Sequence, residues 1–202
     1  EPVNYEAFPI DAYSKQEIEN IIFADFENHW PIVFKPLSEK YLDQVPILNI
    51  VHFIMTVISE EGEIGLTAKG NFRVNLVKKT YSQGFLPEVT IEDGYTKISS
   101  EDKVRSIHLA HILLQQSKII KKRKNKISLT NSGKKLLKNK NLLLQNILQT
   151  YCTVFNWAYF DSHDNPDIGQ FGFGYTLFLL ANFGDQKRPV KFYSDIYFDT
   201  LP

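Results

Sequence analysis

The chain has 202 residues, 43% of them hydrophobic, which is enough to bury a substantial core and too apolar for a disordered protein. It has no run of 18 apolar residues, and Glu1-Pro2-Val3-Asn4-Tyr5 lacks the basic start and apolar run of a signal peptide, so the expectation is a cytoplasmic protein without a membrane span. The 23 Lys or Arg balance the 23 Asp or Glu in number but not in position: between Asp102 and Asp161 there is no acid and twelve bases, a dipole of about +12 against −12 that points to a polyanion or acidic partner.

In chain order, Ser14 and Glu17 have capping-box spacing ahead of Ile18, Ile21, Ile22 and Phe26, which predicts a first helix, broken by Pro31 and Pro36. Pro46 suits the first turn of a second helix, with Ile47, Ile50, Val51, Ile54, Met55 and Ile58 on its buried face and Glu60-Glu61-Gly62 at its end. Residues 85–102 read as a connector, too polar for core. Val104, Ile107, Leu109, Ile112, Leu113 and Leu114 then predict a helix covered on more than one side. Ile119 to Lys122, a turn at Arg123-Lys124-Asn125-Lys126, and Ile127 to Thr130 read as a hairpin. Further on, Tyr175 to Phe183 and Pro189 to Phe198 read as helices. The second carries more apolar surface than one face needs, so Tyr193 or Tyr197 is expected to be partly exposed and this unit either to self-associate or to gain stability from a C-terminal continuation. The end at Asp199-Thr200-Leu201-Pro202 has no polar tail, which suggests that the natural chain continues.

An internal repeat appears when Ile64-Gly65-Leu66-Thr67-Ala68-Lys69-Gly70 is set against Ile127-Ser128-Leu129-Thr130-Asn131-Ser132-Gly133. In each copy the Ile-x-Leu alternation predicts a short strand with a buried Leu. The Thr is placed to cap a following helix, with Phe72, Leu76 and Val77, or Leu136 and Leu137, on its face.

The run Leu114-Gln115-Gln116-Ser117-Lys118-Ile119-Ile120-Lys121-Lys122-Arg123, followed by Ile127-Ser128-Leu129-Thr130-Asn131-Ser132-Gly133-Lys134-Lys135-Leu136-Leu137, resembles the end of a winged-helix domain of the MarR/PadR type. The resemblance extends more loosely to Val51 through Tyr81. It implies that the basic hairpin is a wing and that Lys103 to Ser117 is the recognition helix, offering Arg105, His108, His111, Gln115 and Gln116 to a groove. The segment from Asn156 to Tyr175 resembles bacterial proteins of no assigned activity, and no residue role follows from it. The expected fold is mainly α with short β-hairpins. It comprises an N-terminal helical segment (1–45), a first winged-helix-like unit (46–84), the connector (85–102), a second and basic unit (103–149), and an aromatic-rich helical unit (150–202).

The candidate binding residues are Lys118, Lys121, Lys122, Arg123, Lys124 and Lys126, with Lys134 and Lys135, in a cluster that could track a phosphate backbone. No aromatics are interleaved for base stacking, so duplex DNA or an acidic protein is expected in place of a single strand. The bland reading docks this hairpin on the protein's own acidic region, and the alternative function is a protein–protein interaction module in which the winged helices are purely structural. No catalytic pattern is present: the glycines of Gly169 to Gly174 alternate with aromatics and lack the Lys-Ser/Thr of a phosphate loop. Asp161 to Asp167 lacks the glycine and closing Glu of a calcium loop and reads as a turn. His108 and His111 share a helix face but find no third ligand nearby, so they read as hydrogen-bonded histidines, and no metal or cofactor is expected. Cys152, among apolar neighbours, reads as a buried inert thiol.

Overall fold

A computed structural model describes residues 13–23, 33–162, 164 and 172–200. Expectations for Phe26, for the break at Pro31, for most of the Asp161–Asp167 turn and for Gly169 to Phe171 lie outside the described residues. The elements begin with helices α1 (Lys15–Phe23), α2 (Glu39–Leu42) and α3 (Pro46–Glu61), strand β1 (Ile64–Gly65), and helices α4 (Val74–Tyr81) and α5 (Val89–Glu92). A 3-10 turn (Glu101–Lys103) leads into α6 (Arg105–Gln116), the strands β2 (Ile120–Arg123) and β3 (Lys126–Leu129), and helices α7 (Asn131–Leu136) and α8 (Lys140–Thr153). Helices α9 (Trp157–Phe160), α10 (Phe173–Phe183) and α11 (Val190–Thr200) complete the chain. The protein is mainly helical with a small three-stranded antiparallel sheet, and no helix among the described residues is long and apolar enough to cross a membrane.

The chain divides into two compact units, residues 35–155 and residues 1–34 with 156–202. This differs from the five-part division expected from sequence, and the sheet supplies the reason. β1 pairs with β3, and β3 with β2, in the order β1-β3-β2. The strand of the expected first unit therefore completes the hairpin of the second, and the two Leu-Thr segments are halves of one domain. Two short strands alone are marginal in water, and the third gives the hairpin a covered edge.

Within 35–155 the core is built around α3, which starts with Pro46 in its first turn and stops at Gly62, whose φ of 75° closes the helix in a conformation open to glycine. Leu48, Val51, Ile54, Met55 and Ile58 are fully buried on it, against Ile107, Ala110, Leu113 and Leu114 of α6. The apolar face of the sheet closes the core with Ile64, Ile120, Ile127 and Leu129.

Leu66 and Leu129 are both buried, Leu66 directly after β1 and Leu129 at the end of β3, in keeping with the repeat. The threonines differ. Thr130 is the N-cap of α7 and accepts the Gly133 N–H at 3.0 Å. Thr67 caps only a turn, accepting the Asn71 N–H at 3.1 Å, and the next helix waits until Val74. Phe72 accordingly lies ahead of α4, in a bridge with Leu66.

The connector also departs from expectation, because residues 85–102 belong inside the unit. Glu101 is wholly buried, and Glu88 caps α6 from a distance, accepting Arg105 N at 3.1 Å and Ser106 N at 2.8 Å. A carboxylate at a helix N-terminus satisfies orphan donors and meets the positive end of the dipole.

In the other unit, α1 is held by the capping box: the Glu17 carboxylate accepts the Ser14 N–H at 2.8 Å. Ile21, Tyr175, Phe178 and Leu179 form its core. Among α9, α10 and α11, an apolar groove of about 390 Å³ is lined by Trp157, Phe173, Leu179, Tyr193, Tyr197 and Phe198. Tyr193 and Tyr197 are half-buried, and Phe198 is 67% exposed.

Candidate nucleic-acid interface

The basic hairpin owes its shape to its turn. Lys124 and Asn125 join β2 to β3, both at positive φ, 47° and 58°, as a two-residue type I′ hairpin demands. Asn125 ties the turn down. Its carbonyl accepts Leu66 N at 2.9 Å, and its amide donates to the carbonyls of Leu66 and Thr67 at 3.2 and 3.0 Å. The tip is thus fastened to the end of β1.

All eight expected residues are exposed: Lys118, Lys121, Lys122, Arg123, Lys124, Lys126, Lys134 and Lys135. The first six share the hairpin and its lead-in, while Lys134 and Lys135 sit on α7. Only Lys126 of the eight forms an ion pair among the described residues, with Glu63. Lys140, further along the basic stretch, pairs with Glu39 and Asp43 at 3.2 and 2.9 Å. Neutralisation by the protein's own acids therefore leaves the hairpin largely untouched.

Two of these lysines hold conformations that side chains disfavour. Lys124 is one, and Lys118, at φ 57°, is the other. Lys118 ends α6 where glycine usually does: its N–H bonds Gln115 O at 3.0 Å while Ile119 N bonds Leu114 O at 3.2 Å, the two bonds of a Schellman cap. A left-handed residue with a Cβ costs about 1–2 kcal/mol.

Helix α6 offers little to a base edge. It packs against α3, α4, α8 and the 3-10 turn, the multi-sided cover expected of it. His108 and His111, two of the side chains assigned to a groove, are bound instead to Glu101, each Nδ1–H donating to the carboxylate at 2.8 and 2.9 Å. Phe72 N donates to the same carboxylate at 2.5 Å, and the Phe72 ring stacks on His111 with centroids 3.9 Å apart. The Gln115 side-chain amide meets His111 Nε2 at 2.7 Å. No cluster of three or more His, Cys, Asp or Glu suited to a metal occurs among the described residues. Cys152 is buried, and burial pushes its thiol up to about 12, which suits an inert side chain.

Sequence reading missed Glu101, Asn125 and Arg73. Asn125 alone had a local signal, as a left-handed-tolerant residue in a two-residue turn. Glu101 is set by the approach of Phe72, 29 residues back, together with His108 and His111, and Arg73 by its fit over Gly65, so neither shows in a local sequence pattern.

Residues 43–142 are similar to the Y4jL N-terminal domain family. That stretch begins ahead of α3 and ends in the first turn of α8, so it takes in both halves of the sheet. No curated protein and no solved structure matches the chain.

Proposed function

We propose that residues 35–155 form a winged-helix domain that acts in the cytoplasm and binds duplex DNA through the phosphate backbone, with the β2–β3 hairpin as its wing. The observation that carries this reading is the exposed hairpin, on which five of six cations lack an acidic partner among the described residues. The order of elements α3, β1, α4, α5, α6, β2, β3, with β1 paired beside β3, supports the reading. Residues 82–104 lengthen the link between α4 and α6 well beyond a tight helix-turn-helix turn. With α6 covered and its histidines engaged, contact falls to the wing, and binding tracks charge more than sequence.

Lysines kept at positive φ fit a side chain retained for its charge. Replacing Lys118 and Lys124 with Gly relieves the left-handed strain at the expense of chain entropy, a net gain in stability of about 0.5–1 kcal/mol each. The expected result is a higher melting temperature together with weaker binding of a labelled duplex in fluorescence anisotropy. A stabilised variant that binds like the parent excludes the wing as the contact. A parent that binds no duplex at low salt shifts the reading to an acidic protein surface.

A further inference from the structure

The sheet register defines a second basic surface. In an antiparallel ladder, residues directly opposite share a face. Ile64, Ile127 and Lys122 are one such row, turned toward the core, with Lys122 at the exposed end. Its Nζ lies 2.8 Å from where a Cβ on Gly70 would stand. The adjacent row, Gly65, Lys126 and Arg123, faces the other way, as does the pair Lys121 and Ser128.

Gly65 leaves a gap in that outward row, and Arg73 fills it from the start of α4. A Cβ built on Gly65 would lie 3.2, 3.4 and 3.5 Å from Nη2, Cζ and Nε of Arg73, so the guanidinium lies flat on the strand backbone. One row across the sheet therefore presents Arg73, Lys126 and Arg123, with Lys121 one pair further along. Neighbouring strands are about 4.8 Å apart, and like charges directly opposite one another destabilise a sheet. Glu63, paired with Lys126, relieves part of this repulsion. Arg73 has no ion pair among the described residues. Beside it a groove of about 260 Å³, also lined by Glu61, Asn75 and Lys79, opens between α3 and α4.

We infer that the outward face of this sheet is an anion-binding site for phosphate groups, in which the Arg73 guanidinium joins Lys126, Arg123 and Lys121. A planar guanidinium held flat offers its donors in the fork that matches two phosphate oxygens, whereas the lysines act as point charges. Bound phosphate relieves the repulsion along the row. The inference deepens the duplex-binding reading, because the same hairpin supplies three of the four cations, and it extends the footprint from the wing to the start of α4.

The test compares the parent with Arg73→Ala, Arg73→Lys and Gly65→Val, using a labelled duplex and, separately, inorganic tripolyphosphate followed by NMR at the Arg73 Nε–H. Arg73→Ala is expected to weaken duplex binding roughly tenfold and to lower the salt slope by about 1. Gly65→Val conserves every charge and displaces the guanidinium, so it is expected to reproduce most of that loss, with Arg73→Lys intermediate. Tripolyphosphate is expected to shift the Arg73 signal in the parent. Unchanged duplex affinity in all three variants, with no tripolyphosphate shift, overturns the site, and the wing reading stands if the Lys118 and Lys124 variant still loses binding. A tripolyphosphate response without any duplex binding keeps the anion site and overturns the duplex reading. Circular dichroism melts of Gly65→Val separate lost binding from lost structure, and Arg73→Ala, an exposed position, carries the result if that variant unfolds.

Discussion

Replacing Glu101 with Ala is expected to cost the 35–155 unit about 3–5 kcal/mol, because it removes the shared acceptor of three buried or half-buried donors. Phe72 N, His108 Nδ1 and His111 Nδ1 all converge on this carboxylate, which is wholly inaccessible. In a thermal melt that loss reads as a drop of about 10–20 °C, and Glu101→Gln, which keeps an acceptor, is expected to lose less. The effect depends on pH in a stated direction. Burial pushes the Glu101 carboxyl up, but hydrogen bonds from His108 and His111, the attraction of His111 and the Phe72 N–H outweigh it and hold the group below its ordinary 4.5. A depressed carboxyl contributes stability above 4.5 and loses it as pH falls through the folded value. His108 is held above its ordinary 6.5 by the Glu101 hydrogen bond, against burial, so its contribution is complete below 6.5 and fades as pH rises through the folded value. The gap between parent and Glu101→Ala is therefore widest between pH 4.5 and 6.5 and narrows on either side. A melting temperature within a few degrees of the parent in that window contradicts the buried-acceptor role.

Gly133→Ala is expected to destabilise by about 2–3 kcal/mol, the upper range for overpacking, although Ala in place of Gly inside a helix ordinarily gains about 1 kcal/mol. A Cβ at 133 would sit 2.3 Å from the Ile119 carbonyl oxygen. That oxygen cannot retreat freely, since it also accepts Thr130 N at 2.9 Å and Thr130 Oγ1 at 3.1 Å. The glycine thus allows α7 to press against the start of the wing. Chemical denaturation gives the sign: a lower midpoint is expected, and an equal or higher one shows that the close approach is not structural.

The Thr-x-x-Gly segments show where sequence is informative and where it stops. Alternation in Ile64-Gly65-Leu66 and Ile127-Ser128-Leu129 made the strands and their buried leucines readable, and Pro46 with Gly62 bracketed α3. The same pattern around Thr67 and Thr130 nonetheless leads to a turn in one case and a helix in the other. The difference comes from Phe72, whose N–H is drawn to Glu101, 29 residues on, so that α4 starts only afterwards. Long-range pairing likewise hid the single domain, because nothing local in Ile64-Gly65 says that its partner is Ile127-Lys126. The hairpin cations were legible as a charge run, since side chains that stay solvated need no tertiary partner. Arg73 was not, because its place depends on Gly65 and on the register together. The histidines of α6 were read correctly as hydrogen-bonded, and the groove-facing role implied by the resemblance fails because a buried acid from the connector holds them.

Duplex binding measured against salt tests the wing most directly. Each phosphate contact on B-form DNA contributes about 0.9 to the slope of log affinity against log salt, so replacing Lys122, Arg123 and Lys124 with Ala is expected to flatten the slope by about 2.7 and to weaken binding at every salt concentration. These side chains are exposed, so the melting temperature is expected to hold. A parent slope that the triple replacement leaves unchanged, or a parent that binds no duplex at low salt, contradicts the wing as the DNA contact.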